Sequence, residues 1–331
     1  MSGKKRSAGK IILRIFIVIL AIAILYAAGC LIIGRIKYAD FNSISERVVG
    51  IPDRLKGMTP QGVSAIGDTT VVCGYMKGSA ASRIYVFGKD VKYVELEKEN
   101  GEVYDGHAGG MTVNGDYVYI SNAAKIFVLK TSDLLNAADG GKVRFIGRFE
   151  VPCRSSFCSS DGEYLYVGEF HANGYDTDES HLVKSADGDY QALIFAYKLS
   201  ETAEFGAETT PCAAYAVRDI VQGAAFSNGI AVLSCSWGLS SSDIVIYNAS
   251  GIADGELSLN GTAMPLYVFD SKRELASVKA PHMSEDVEFS GGKLLVAFEG
   301  GTLKYGAGLL PFSLHKVMRV DVMKLIDAAE T

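Results

Sequence analysis

The sequence predicts an all-β fold, a five-bladed β-propeller, preceded by one transmembrane helix. Three observations predict it: a hairpin pattern that occurs five times, further strands after each hairpin, and a long uncharged segment near the N-terminus. The hairpin is clearest in HAGGMTVNGDYVYISN, residues 107–122, where a turn at 114–116 joins two apolar strands.

Four other segments share this hairpin shape, each with a glycine-containing turn between a short and a longer apolar strand. They begin at Pro60, Ser155, Val221 and Ser284. Third strands are predicted from Arg83, Lys125, Leu193, Asp243 and Lys316, and fourth strands from Lys92, Val143, Ala213 and within residues 265–278. The first spacings are roughly 47 to 48 residues, which suits blades of ~40–50 residues. A β-sandwich of several hairpins is the alternative architecture.

The last unit ends after its third strand. The segment SERVVGIP, residues 45–52, precedes the first unit and can supply the missing outer strand. Closure of this kind removes a free sheet edge, which predicts a ring of five blades.

The N-terminus carries five basic residues, and no residue from 15 to 33 is charged. Nineteen such residues in a helix span ~28 Å, close to the ~30 Å hydrocarbon core of a bilayer. The positive-inside tendency predicts a single-pass protein of the cell membrane with its N-terminus in the cytoplasm. The predicted organisation is a basic segment 1–14, a signal anchor 15–34, a linker 35–44 and an extracytoplasmic propeller 45–331. A cleaved signal peptide and a lipoprotein lipidated at Cys30 are the alternatives.

Composition excludes several functions. The chain has 331 residues, a net charge of −6 and six cysteines. Because nucleic-acid binding needs a basic surface, this balance argues against it. Five cysteines outside the anchor do not form a disulfide framework, although Cys153 and Cys158 could pair. No GxSxG, P-loop, HExxH or EF-hand pattern occurs.

Propeller topology predicts where polar residues gather. The start of each first strand and the end of each second strand lie on the same face, so side chains from distant units should surround the channel mouth. The candidate ligand-binding residues are Gln61, His107, Arg154, Gln222, Trp237, Glu285 and Asp286. The alternative is that these side chains plug the channel by hydrogen bonding to one another and to water.

Four of the mouth residues could hold a metal ion instead: Glu169, His171, Glu285 and Glu299. Carboxylate oxygens suit a divalent cation such as calcium, and an added imidazole suits zinc or manganese. A bound metal could activate water for hydrolysis of an ester, lactone or phosphoester. No motif assigns a catalytic residue.

The repeat, with its QG, HAGG, VQG and SED segments, resembles the extracytoplasmic propellers of the YncE-like and SMP-30/gluconolactonase-like broad group over about residues 45–325. The resemblance implies a propeller, and lactonases of this type use an acid in the first blade where this chain has Gln61. We therefore expect a membrane-anchored propeller that binds a small polar ligand, a cell-wall fragment or a peptide. A metal-dependent hydrolase and a protein–protein interaction scaffold are the alternatives.

Overall fold

Five sheets arranged in a ring confirm the predicted propeller. The structure is a computed structural model that describes residues 3–259 and 261–329. The first strands of the five blades contact one another in the order one to five, and the fifth contacts the first. The ring is therefore closed around a central axis.

The elements before the first blade are α1 (Gly3–Lys37), α2 (Ala39–Ile44) and β1 (Ser45–Gly50). Blade one follows with β2 (Met58–Ile66), β3 (Thr69–Met76), β4 (Arg83–Phe87) and β5 (Val91–Glu97). The next segment contains β6 (Gly110–Asn114), β7 (Tyr117–Asn122), β8 (Lys125–Lys130), α3 (Thr131–Asn136), β9 (Gly141–Arg144) and β10 (Gly147–Glu150).

The third segment contains β11 (Phe157–Ser160), β12 (Tyr164–Gly168), β13 (Val183–Ser185), β14 (Gly188–Tyr190), β15 (Ala192–Lys198) and β16 (Ala213–Val217). The fourth contains β17 (Val221–Ser227), β18 (Ile230–Cys235), β19 (Ser242–Asn248), β20 (Gly255–Leu259), β21 (Thr262–Val268) and β22 (Glu274–Ala280). The last contains β23 (Ser284–Ser290), β24 (Lys293–Phe298), β25 (Lys316–Val320) and α4 (Met323–Ala329), and short 3₁₀ turns lie at Glu179–His181 and Leu303–Tyr305.

The N-terminal strand closes the ring, as the sequence predicts. β1 pairs antiparallel with β25, from Ser45 opposite Val320 to Gly50 opposite Lys316. The fifth blade thus has the order β1-β25-β24-β23. Because its outer strand comes from the other end of the propeller, separating the ends would cost the pairing of a whole strand.

Two blades are extended by a strand from the segment that follows them in the chain. β9 pairs parallel with β5 of blade one, and β21 pairs parallel with β16 of blade three. The single fourth strand predicted from Val143 is therefore two strands, of which only β10 belongs to blade two. The predicted strand within 265–278 is likewise divided between β21 and β22. In both cases a strand from the following segment covers an outer edge that would otherwise be free.

Glycines in the repeated QG, HAGG and VQG segments lie where neighbouring first strands approach most closely. A Cβ on Gly62 would lie 2.5 Å from the backbone nitrogen of Met111, and one on Gly223 would lie 2.6 Å from Cα of Asp286. Gly110 is packed in the same way against blade three. No side chain fits these positions, which explains the glycines of the repeat.

Apolar and aromatic side chains fill the space between blades. Tyr166 of blade three stacks on Phe226 of blade four with ring centroids 3.7 Å apart. Similar buried clusters join the other blades. The six cysteines are free. Cys153 and Cys158, which the sequence suggested could pair, therefore form no disulfide. Packing rather than covalent linkage holds the ring.

In the part of the chain that the structure describes, one helix is long and apolar enough to cross a membrane. It covers Ala8–Lys37, and no residue of its most apolar stretch is buried. The predicted linker, 35–44, is helical: α2 buries Phe41 against Phe298, with ring centroids 6.0 Å apart. The helix is thus joined to the propeller by packed structure.

The two faces of the ring differ. We call the mouth face the one where the first strand of each blade begins and the second ends, that is, the starts of β2, β6, β11, β17 and β23. We call the turn face the opposite one, which carries the tight turns at 67–68, 115–116, 161–163, 228–229 and 291–292. The long connections after β12, β18 and β24 all lie on the mouth face.

Candidate functional site

Six residues from blades one and five meet on the mouth face, and we call them the mouth cluster. They are Gln61, Tyr75, Glu285, Glu299, Lys304 and Tyr305. Gln61 lies at the bulge near the start of β2 and Glu299 directly follows β24, so the closure of the ring brings them together. The sequence placed Gln61, Glu285 and Glu299 at this mouth.

Two carboxyl groups form the centre of the mouth cluster. Glu285 and Glu299 are hydrogen-bonded to each other, which requires one of the two to carry a proton. Gln61 Nε2 donates to Glu299 Oε2 at 3.1 Å. Glu285 Oε1 is buried with no hydrogen-bond partner among the described residues. The pair thus keeps one unused acceptor.

Burial raises the pKa of both carboxyl groups. Desolvation is the main cause of the rise in the pKa of Glu285, and the adjacent Glu299 adds to it. Desolvation also raises the pKa of Glu299, although the charge of Lys304 opposes the rise. Two close carboxylates cannot both ionise without a cation, so the pair is suited to a positively charged neighbour.

The short turn Leu303–Tyr305 covers the carboxyl pair. Lys304 Nζ lies 3.9 Å from Glu299 Oε2, and it lies 4.8 Å from the ring centroid of Tyr305. Desolvation opposes the charge of Lys304, but the attraction of Glu299 prevails and raises its pKa. About half of the Lys304 side chain is exposed. Solvent or a ligand can therefore reach the ammonium group that lies over the carboxyl pair.

His107 approaches the mouth cluster from blade two. Its ring stacks on Tyr75, with centroids 4.7 Å apart and an interplanar angle of 25°. Desolvation and the charge of Lys304 lower the pKa of His107. A neutral imidazole on the exposed side of the cluster can accept or donate a hydrogen bond.

Asp286 has a different position from the one expected of a ligand-binding residue. It is fully buried, and its Oδ2 accepts hydrogen bonds from the backbone N–H groups of Met111 at 3.1 Å and Val63 at 3.3 Å. Desolvation raises the pKa of Asp286, and these N–H bonds oppose the rise. Asp286 therefore links the first strands of blades one, two and five across the axis, which agrees with the plug alternative.

Glu288 lies deeper in the same channel. Its Oε1 accepts from Thr112 Oγ1 at 2.6 Å and from Ser64 Oγ at 3.4 Å. Its Oε2 is buried and unpartnered among the described residues. Burial raises the pKa of Glu288 to about 8. The sequence analysis did not single out Glu288, although period-2 alternation along β23 places it on the same face as Asp286.

The residues proposed for a metal ion are distributed over separate places on the mouth face. Glu169 is buried, and its Oε1 lies 2.5 Å from His181 Nδ1. Its oxygens also accept from the backbone N–H groups of Arg154 and Leu193. His171 lies 2.8 Å from Asp219 instead. Within residues 3–259 and 261–329, no group of three or more His, Cys, Asp or Glu side chains is placed to hold a metal ion.

The remaining predicted residues lie on blades three and four. Trp237, the only tryptophan of the sequence, packs on Phe170 and Tyr175 with ring centroids 5.3 and 5.2 Å apart. Gln222 donates through Nε2 to the backbone oxygen of Ser236 at 3.3 Å. The Arg154 side chain is exposed. These residues share the mouth face, but no hydrogen bond or ring contact joins them to the mouth cluster within the described part of the chain.

Sequence analysis missed the role of Tyr75. The residue is the last but one of β3, in CGYMKG, and with the units aligned on their turns its position corresponds to that of Glu299. The alignment of strand ends could therefore have identified it. Lys304 and Tyr305 were visible only as part of a long insertion, since nothing in the sequence shows how that insertion folds back.

No family model and no curated protein matches the chain. A structure from Thermus thermophilus, described as an oxidoreductase (glucose dehydrogenase), is 14% identical, covers 83% of this chain and 99% of its own, and superposes with a TM-score of 0.39.

Two other solved structures are similar at the same level. A luciferin-regenerating enzyme is 15% identical, with 83% of this chain and 95% of that chain covered and a TM-score of 0.40. The nidogen/laminin complex contains a chain that is 12% identical, with 79% and 85% covered and a TM-score of 0.37. Sequence identities and TM-scores as low as these carry no inference about function. The resemblance to YncE-like and SMP-30-like proteins therefore extends no further than the repeated strand pattern.

Proposed function

We propose that this chain is a membrane-anchored, extracytoplasmic propeller whose mouth cluster binds the cationic or hydrogen-bond-donating group of a small polar ligand, a cell-wall fragment or a peptide. The observation that supports this most is the buried Glu285–Glu299 pair with an unused acceptor oxygen. Unpaired buried carboxyl oxygens are costly, so such a pair is a site where a ligand donor is favoured.

Residues beside the carboxyl pair and farther along the mouth face would complete recognition. Gln61 would donate and accept hydrogen bonds beside the carboxyl pair, and His107 would contact a carbonyl or anionic oxygen. The ammonium of Lys304 would give way to the ligand cation. In a larger ligand, Arg154, Gln222 and the Trp237 ring would contact parts that extend over blades three and four. Asp286 is left out because its carboxyl group is used inside the ring.

Binding of cell-wall fragments tests this proposal. We expect muropeptides with free amino groups to bind the purified full-length chain saturably in calorimetric titrations. Glu299→Gln should weaken binding at least tenfold, about 1.4 kcal/mol, because the amide cannot supply a charged acceptor. The matched control is Glu256→Gln, which removes an exposed carboxylate on β20. Equal affinity of wild type and Glu299→Gln would refute the site.

Hydrolysis at the same mouth is the second candidate function, and the carboxyl pair favours it. Two carboxyl groups with raised pKa values that share a proton can act as general acid and base. In the metal-dependent form of this hypothesis, a divalent cation such as calcium would activate water. Ester, lactone or phosphoester cleavage that a chelator abolishes would support it, and metal-free, inactive full-length protein would exclude it.

A further inference from the structure

A groove of about 630 Å³ is lined by α1 and by the connection between β24 and β25. One wall consists of α1 residues from Ala23 to Gly34, and the other includes the segment 308–312, which we call the apical loop. Phe312 anchors this loop, because a Cβ on Gly34 would lie 2.8 Å from its ring and Tyr38 contacts it edge-on at 5.7 Å. The apical loop thus lies directly alongside the helix.

The apical loop is apolar, with Gly308 and Leu309 exposed and residues 310–312 half-buried. Its sequence is GLLPF, and no residue from 305 to 314 is charged. Leu309 exposes 80% of its surface. A leucine left in water forgoes about 1.5–3 kcal/mol of transfer free energy, so an exposed leucine beside an exposed apolar helix calls for an apolar partner.

The position of the loop along α1 identifies that partner. Ala23 and Gly34 are eleven residues apart, which is ~16 Å along a helix. Most of this stretch falls within the uncharged run 15–33. A loop alongside those turns lies at the depth that the hydrocarbon layer would occupy. No residue in the most apolar stretch of this helix is buried, so the same lipid that surrounds it would reach Leu309.

The polar residues near the end of α1 mark the level of the headgroups. Lys37 Nζ lies 5.2 Å from the ring centroid of Tyr38 and 5.7 Å from that of Phe312. Tyr38 Oη also lies 3.1 Å from Ser241 Oγ, in the connection after β18 on the mouth face. Aromatic and basic residues are typical of the membrane–water interface. The mouth face, and not the turn face, is therefore the side on which the helix arrives.

We propose that the apical loop inserts into the bilayer beside α1, so that the mouth face lies against the membrane surface and the mouth cluster opens toward the lipid headgroups. This inference rests on the membrane anchoring in the proposed function. The loop and the mouth cluster belong to one connection, since Lys304 and Tyr305 lie in the same segment between β24 and β25, a few residues before the loop. A ligand would then reach the carboxyl pair from the membrane surface.

Fluorescence of an environment-sensitive label tests the insertion. Single cysteines Leu309→Cys, Ile22→Cys and Ile252→Cys are placed in the full-length chain with Cys30→Ala and Cys212→Ser, the other cysteines being buried. Ile22 reports on the anchor, and Ile252 is the matched control because it is 92% exposed in the connection after β19, on the turn face. Each labelled variant is reconstituted in phosphatidylcholine vesicles.

We expect the label at 309 to be quenched by spin-labelled lipid and protected several-fold from aqueous iodide relative to the label at 252. Iodide quenching at 309 equal to that at 252, with lipid quenching at 22, would overturn the loop insertion and leave the anchor intact. Iodide access at both 22 and 309 would overturn the anchor as well. A disulfide-linked dimer of unlabelled Leu309→Cys after oxidation, together with no lipid quenching of the labelled variant, would show that a second copy covers the loop, and this too would overturn the proposal.

Discussion

Asp286→Ala should destabilise the propeller by about 3 kcal/mol or more, because two buried backbone N–H groups would each lose their acceptor at a cost of ~1–3 kcal/mol. The affected donors are the N–H groups of Val63 and Met111, on the first strands of two different blades. The loss should appear as a lower midpoint in urea unfolding followed by circular dichroism.

Asp286→Asn is the matched variant. Burial raises the pKa of Asp286, which favours the neutral carboxyl form, and an amide has nearly the same shape and keeps an acceptor oxygen. We expect it to lie within about 1 kcal/mol of wild type. Equal damage by Asn and Ala would mean that an ionised carboxylate holds the three strands, and no damage by Ala would remove the axial role of this residue.

Glu288→Gln should stabilise the protein at pH 8 by on the order of 3 kcal/mol and have little effect near pH 4.5. Burial raises the pKa of Glu288 to about 8, whereas a glutamate in the unfolded chain titrates near its ordinary value. As the pH rises between these two values, the unfolded chain releases a proton that the folded protein retains. The free energy of unfolding therefore falls with pH in this window and levels off above it.

The difference in the free energy of unfolding between Glu288→Gln and wild type reports on Glu288 alone, because the other buried acids are the same in both proteins. Unfolding midpoints measured from pH 4.5 to pH 8 should diverge steadily for this pair. Glu256→Gln, which removes an exposed carboxylate, should show no comparable divergence. A constant difference between Glu288→Gln and wild type at every pH would show that Glu288 is ionised in the folded protein.

Hairpin spacing and glycine placement were sufficient to predict the ring and its closing strand. Alternating apolar strands, the truncated last unit and the segment from Ser45 fix the blade count by simple pairing rules. The exchange of β9 and β21 between neighbouring blades was not predictable in this way. Parallel edge pairing depends on how connections cross the surface, and no periodicity in the sequence encodes that path.

The sequence predicted which face of the ring carries the candidate site, but not which side chains pair with one another there. Aligned strand ends placed Gln61, Glu285 and Glu299 at one mouth. They could not show that Glu169 pairs with His181 and not with His171, because that choice depends on how the insertion after β12 folds back. Adjacent Glu285 and Asp286 were grouped together, yet a bulge in β23 and strand alternation give them different surroundings.

The central claim is that the Glu285–Glu299 pair recognises a positively charged group. Lys304→Ala removes the ammonium that lies 3.9 Å from Glu299, and methylammonium or propylammonium should then occupy the vacated position. Thermal unfolding of full-length Lys304→Ala should show a saturable rise in midpoint with these amines relative to equal concentrations of potassium chloride. The same rise in Lys304→Ala with Glu299→Gln, or no rise in Lys304→Ala alone, would contradict the account.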